Sequence, residues 1–299
     1  MIQSGQDEVV NFHSGVMPYL AATLLDTDPV HIGEWQSKDT SAVPHMATYE
    51  VMDMQIRIDV PRTDVDLALM LGEDLNLPWA EEHFAERVSG RPFNPPPSHK
   101  DWPWAKYNGN HQTGDEQQFS HTYPERMWPK HAGLGNAPVP PVFDGNHHRG
   151  IRFDYGDLDD VVDLLVRSPL TRQAYLPIWF PEDTGAHHRQ RVPCTLGYHF
   201  MIRESQLSCR YYMRSCDLIR HFTDDLYMAA RLMQWITDQL NMCPNPWHDS
   251  APARKVLVCP ECKSSVKTGR LIMYISSLHA FTGDAYKLKQ IKDRANVDR

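Results

Sequence analysis

The period of apolar and polar positions changes several times along the chain. TYEVMDMQIRIDVP, residues 48–61, partly alternates, with Val51, Met54, Ile56 and Ile58 among polar neighbours, and reads as a strand ended by Pro61. NLPWAEEHFAERVSG, residues 76–90, has helical spacing and a glycine stop. DLDDVVDLLVRSP predicts a helix with Asp157 as its N-cap and Leu158, Val161, Val162, Leu164 and Leu165 as its apolar positions. TRQAYLPIWF, VPCTLGYHFMI and QLSCRYYMR read as strands, the last two joined as a hairpin. In RHFTDDLYMAARL a strand end gives way to a helix whose stripe is Leu226, Ala229, Ala230, Met233, Ile236 and Leu240. Thr223 is the expected N-cap there, and the first-turn acids Asp224 and Asp225 complement the helix dipole by roughly 0.3–1 kcal/mol. A Cys- and Pro-containing excursion over 242–270 precedes the apolar strand LIMYISSLHAF.

Residues 91–143 are rich in Pro, Trp, His and Gly and read as a long loop, ordered by its aromatic content. Strands and helices interspersed with such loops predict an α+β fold, a mixed sheet packed with helices. No linker divides the chain, so residues 1–299 are expected to form one domain.

Composition narrows the function classes. A 41% apolar content over 299 residues supports a buried core. The formal charge of −8 argues against a general binder of phosphate backbones. No run approaches the ~18 apolar residues of a membrane span, and MIQSGQDEVV lacks a signal-peptide pattern, so a cytoplasmic protein is expected. Cys259 and Cys262 form CPEC, with Cys243 and His248 upstream, a set that could hold a structural zinc ion. The C-x4-H half is not a standard spacing, so free thiols are the simpler reading and no metal is assigned. His147, His148, His187 and His188 read as solvated or hydrogen-bonded loop histidines.

Cys194, behind Pro193, is the candidate nucleophile. A buried structural cysteine is the ordinary alternative, but the hairpin brings Arg214 back toward it, and nearby cations activate thiols. Arg214 and Ser215 pair a charged fork with a hydroxyl able to hold a phosphate, and Arg172 is a further candidate phosphate ligand.

Taken in order, LLVRSPLTRQAYLPIW, VPCTLGYHF, LSCRYYMRSCD and the helix behind them resemble the central block of thymidylate synthase. The resemblance covers residues 157–241, continues in SSLHAFTGD, and is loose over the first 150 residues. It implies a homodimer formed through the sheet and a reaction between a pyrimidine nucleoside monophosphate and 5,10-methylenetetrahydrofolate. Cys194 would add to C6 of the base. Arg214 and Ser215 would hold the 5′-phosphate, with Arg172 reaching across the dimer interface. Asp217 would meet the folate and His279 the sugar. Glu82 is chosen as the active-site glutamate, with Glu81 and Glu86 open because the spacing to Gly90 is off by one. Tyr123 resembles the family's active-site tyrosine, and Trp102 and Trp104 its aromatic wall.

The departures carry information. The family has Asn where this chain has Asp225, and that amide reads N3 and O4 of uracil. A carboxylate instead accepts from the N4 amino group of cytosine, and a proton shared with N3 would stabilise the charge formed as Cys194 adds. In this the sequence resembles the hydroxymethylases of deoxycytidylate and cytidylate, the latter including that of the mildiomycin pathway. Thr195 replaces the usual His, Gln173 the second Arg of a pair, and Phe281 a Tyr near the sugar, while KDRANVDR lacks the small apolar closing tail. These changes point to water, rather than hydride, reaching the transferred carbon. The expected activity is 5-hydroxymethylation of CMP, favoured over dCMP. The rivals are reductive methylation of dUMP, a non-catalytic zinc-knuckle protein that binds nucleic acid, and an inactive partner subunit.

Overall fold

The computed structural model describes residues 12–35, 38–39, 42–103, 112–113, 118–132, 156–184, 192–241 and 265–296. Its centre is a mixed sheet of six strands: β1 (Thr48–Asp59), β2 (Tyr175–Pro177), β3 (Thr195–Arg203), β4 (Gln206–Met213), β5 (Cys216–Asp217) and β6 (Lys267–Phe281). The order is β1-β6-β4-β3-β2, with β5 beside the far end of β6. β6 runs antiparallel to β1 and parallel to β4 and β5, whereas β3 is antiparallel to both of its neighbours, β2 and β4.

The predicted hairpin is β3–β4. Its two-residue turn, Glu204–Ser205, has both residues at positive φ, the geometry that matches the twist of paired strands. Alternation sends Tyr198, Phe200 and Ile202 of β3, Cys209, Tyr211 and Met213 of β4, and Leu271, Met273 and Ile275 of β6 into one core. The helix α6 (Phe222–Leu240) covers that core with Phe222, Leu226, Ala229, Ala230, Met233 and Ile236. Around it lie α1 (Met17–Leu25), α2 (Asp64–Leu71), α3 (Trp79–Arg87), α4 (Tyr123–Met127), α5 (Leu158–Arg167) and α7 (Ala285–Asp293). On the other face of the sheet Tyr212 stacks on its register partner Tyr274, ring centres 5.2 Å apart.

The α+β layering, the strand ended before Pro61 and the helix capped by Asp157 agree with the pattern in the sequence. Asp157 accepts from the backbone of Asp160, whose side chain returns the bond. The Pro-rich stretch is ordered where described: Asn94 bridges Phe119 and Glu125, and Thr122 with Glu125 caps α4.

Three expectations are corrected. TRQAYLPIWF shortens to a three-residue strand, because Ile178 and Trp179 both turn their amides onto the single carbonyl of Leu196. Thr223 is not the N-cap: α6 begins at Phe222, and the amide of Asp225 already donates to the His221 carbonyl at 2.8 Å, so Thr223 is buried inside the first turn. The excursion ends earlier than residue 270, because β6 begins at Lys267 and pairs with β1 from Arg270 onward. Its neck is closed by Asn241, whose side chain donates to the carbonyl of Val266 and accepts from its amide, each at 2.8 Å.

Candidate active site

The β3–β4 hairpin sets the first group of site residues. Thr195 pairs with Met213, and one residue beyond, the Arg214 amide donates to the Cys194 carbonyl at 2.9 Å. This rung places the Arg214 guanidinium 3.9 Å and the Ser215 hydroxyl 3.7 Å from the Cys194 sulfur. The same guanidinium donates to the carbonyls of Pro193 and Val192, so it clamps the segment that carries the thiol. The register shift between Thr195 and Gly197 needs a residue without Cβ, since one added at Gly197 would meet the Leu176 carbonyl oxygen at 2.7 Å.

Cys194 and Ser215 open onto a cavity also lined by Asp217, Asp225, Tyr123, Trp102, His83 and Arg87. Tyr123 reaches it from α4; its hydroxyl lies 3.1 Å from that of Thr195, which lies 2.9 Å from that of Tyr211. Burial, with the nearby Asp225 and Cys194, pushes the Tyr123 phenol well above its usual range. Thr195 is therefore a buried link between two tyrosines. Asp217 is buried and accepts from the amides of Ile219 and Arg220; burial raises its pKa against the pull of His279 and Arg220. Trp102 stacks on His221 at 5.2 Å and tilts against Trp79 at 6.1 Å, forming an aromatic wall.

The two acids at the start of α6 differ. Asp224, read from the sequence as a first-turn acid that complements the helix dipole, is 3% exposed and accepts from the backbone and side-chain amides of Asn76 at 2.9 and 2.8 Å. Burial outweighs those bonds and pushes it up to about 6. Asp225 is 8% exposed, lines the cavity, and its carboxyl takes no hydrogen bond from the described residues. Burial raises it to about 7, against the opposing charge of Arg87.

Helix α3 corrects the choice of glutamate. Its buried positions are Ala80, His83, Phe84 and Arg87, so Glu82 points outward to solvent and does not line the cavity. Glu81 is held by Arg231 and Tyr227, and Glu86 by Ser98 and His83. The helix instead presents His83 and Arg87, one turn apart, neither of which was singled out from the sequence. The signal was the i, i+4 series Trp79, His83, Arg87 on the apolar side of an otherwise acidic helix.

Arg172 is exposed, and neither it nor His279 is among the residues lining the cavity of this chain. His279 sits on β6 opposite Asp217 and meets the ring of Phe281 edge-on. Trp104, Cys243, His248, Cys259, Cys262 and the four loop histidines lie outside the described residues. Among the described residues no group of three or more His, Cys, Asp or Glu is placed to hold a metal ion.

Two buried donors in the cavity, Arg87 Nε and Trp102 Nε1, have no hydrogen-bond partner among the described residues. With the unpartnered Asp225 carboxyl and the aromatic wall, they suit a flat heteroaromatic ligand carrying both donors and acceptors.

Residues 104–247, which contain the thiol, its donors and α6, match the family model described as thymidylate synthase. This region is similar to thymidylate synthases. A thymidylate synthase of Rhodopseudomonas palustris (strain BisA53) is 26% identical over 149 residues, 48% of each chain. The chain thus spans about half the length of this curated relative. The matched region holds Cys194, Arg214, Ser215, Asp217, Asp225 and Tyr123, whereas His83 and Arg87 come from outside it.

Proposed function

We propose that the protein transfers a one-carbon unit from 5,10-methylenetetrahydrofolate to C5 of cytidine monophosphate, CMP in preference to dCMP, and completes the transfer with water to give the 5-hydroxymethyl nucleotide. The folate supplies a carbon at the oxidation level of formaldehyde. The chain supplies the nucleophile: the Cys194 thiolate adds to C6 of the base, which makes C5 nucleophilic. Arg214 and Ser215 lie beside that sulfur with the donors a 5′-phosphate needs, and in a homodimer formed through the Tyr212–Tyr274 face of the sheet Arg172 would add a third. Asp217 and the Trp79–Trp102–His221 wall suit the folate's heterocycle.

The single observation that carries the cytosine assignment is Asp225, buried at the cavity wall without a side-chain partner among the described residues and raised to about 7. Protonated, it can donate to N3 of cytosine with one oxygen and accept from N4 with the other. As Cys194 adds, negative charge grows on the N3–C4 edge, and the shared proton moves toward N3. Ionised, it still accepts from N4 but cannot donate to a uracil O4. Phe281 brings no hydroxyl to the sugar side, which supports a ribose as well as a deoxyribose.

The test is to incubate the protein with CMP, dCMP or dUMP and methylenetetrahydrofolate and read product mass and dihydrofolate absorbance. A hydroxymethyl gain on a cytidine nucleotide without dihydrofolate is the expected result. Exclusive turnover of dUMP with dihydrofolate formation would instead establish reductive methylation.

A further inference from the structure

We propose that His83, oriented by Glu86, is the general base that takes the proton from the water completing the transfer; this rests on the hydroxymethylation reading above. Both hydrogen bonds of the His83 ring among the described residues involve Nδ1, at 3.1 Å from a Glu86 carboxylate oxygen and 3.1 Å from the Ser98 hydroxyl. Ser98 gives its own hydroxyl proton to the same carboxylate oxygen, and its amide donates to the other, each at 2.6 Å. The carboxylate is therefore an acceptor on every side, and Nδ1 must carry the hydrogen that points to it. That fixes the tautomer, leaving Nε2 as the lone-pair nitrogen of a residue that lines the cavity with Cys194 and Asp225. Trp79, stacked on the ring at 5.3 Å, holds its plane.

The charges around the ring keep it neutral, so its lone pair is free. Burial, and then the adjacent Arg87 with a smaller contribution from His99, bring His83 down to about 4, against the pull of Glu86. At neutral pH the contact with Glu86 is thus a hydrogen bond from a neutral ring. Burial acts to raise Glu86, but the bonds from His83 and Ser98 outweigh it and keep the carboxylate ionised. A neutral imidazole oriented by a fixed carboxylate presents the lone pair that a general base uses, while its burial makes it a weaker base than a solvated histidine.

The step balances without an oxidant or reductant. After the one-carbon donor has left, the base carries an exocyclic methylene at C5 and the Cys194 sulfur at C6. The water oxygen bonds to the methylene carbon while one water proton passes to His83 Nε2. The methylene π pair shifts onto the C4–C5 edge, then re-forms C5=C6 as the Cys194 thiolate departs. The water proton and the displaced C5 proton account for the two hydrogens gained by the departing tetrahydrofolate.

The reverse of this step needs no folate and isolates it. The protein is incubated in ¹⁸O-water with the 5-hydroxymethyl derivatives of CMP and dCMP, and oxygen exchange is followed by mass spectrometry. Affinity for CMP is followed in parallel by tryptophan fluorescence. Wild type should exchange the hydroxyl oxygen, His83→Gln should lose about 100-fold or more in exchange rate with its CMP affinity retained, and Glu86→Gln should lose about 10-fold. Exchange at the wild-type rate in His83→Gln overturns the inference and leaves the hydroxymethylation reading standing. Loss of CMP affinity along with exchange in both His83→Gln and His83→Asn assigns the ring to binding and also overturns it. A wild type that incorporates no label overturns the hydroxymethylation reading and this inference with it.

Discussion

The guanidinium of Arg87 lies 4.1 Å from the centre of the Tyr123 ring, buried at the cavity wall, with no salt bridge to any described residue. It is also the positive charge that opposes the rise of Asp225. A buried cation in this state is costly to the free protein and valuable to a bound, electron-rich base. Arg87→Met should keep or raise the melting temperature of the free protein while weakening nucleotide binding. With that charge gone, the pH midpoint of Asp225 should move further above about 7. The pH dependence of CMP affinity measures it, and an unmoved midpoint would remove the electrostatic link.

Asp225→Asn should exchange the preferred base. An amide donates to O4 and accepts from N3–H, so kcat/KM for uridine nucleotides should rise relative to cytidine nucleotides by at least about 10-fold, as expected for one re-paired hydrogen-bonding edge. The same variant separates function from stability. The native state holds a proton on Asp225 up to about pH 7, whereas the unfolded chain releases it near the ordinary carboxylate value. Stability from this group is therefore full at low pH and lost as pH rises through 7. The variant should melt higher than wild type at pH 8, by an amount on the order of 1–3 kcal/mol, and show a smaller difference at pH 5.

Discrimination by the wild-type protein should depend on pH in the same direction. Protonated Asp225 can satisfy either base, because an acid group offers a donor and an acceptor. Ionised, it retains the N4 contact of cytosine and opposes O4 of uracil. The ratio of CMP to UMP affinity should therefore grow between pH 6 and pH 8, around the value of about 7. A ratio that stays flat, or falls, over this interval in equilibrium titrations would show that Asp225 does not read the base.

Asp224→Asn is the contrasting case. For an acid that only complements the helix dipole, this substitution would cost little beyond helix stability. The structure places two Asn76 donors on the carboxylate, so an amide there must turn one NH₂ toward a donor or lose a bond. The cost should be about 1–3 kcal/mol in denaturant unfolding, with the CMP to UMP preference unchanged.

What the sequence disclosed divides by the range of the interactions. The nearness of Arg214 and Ser215 to Cys194 follows from a hairpin whose period of two is written in adjacent residues, whereas Asp217 and Asp225 are singled out by the resemblance to thymidylate synthase. Hidden from it was everything set by docking: the burial of Asp224 depends on Asn76, and the face that α3 turns inward depends on packing against α6. Glu82 was chosen from the place that the resemblance gives an active-site glutamate, yet a helix places position 82 away from positions 80, 83, 84 and 87. The resemblance pointed to an exposed acid, whereas the inward face of the same helix carries His83 and Arg87.

The rung between Arg214 and Cys194 has a consequence for how the site comes into being. Nucleophile and clamp are opposite ends of one local hairpin, closed by a two-residue turn and needing no distant segment to bring them together. Tyr123 joins only across 72 positions of chain, through its hydroxyl contact with Thr195. Short-range pairing forms faster than long-range docking. The reactive half of the cavity is therefore assembled as a self-contained ribbon, and the half that recognises and protects the ligand is built onto it as α3 and α4 arrive.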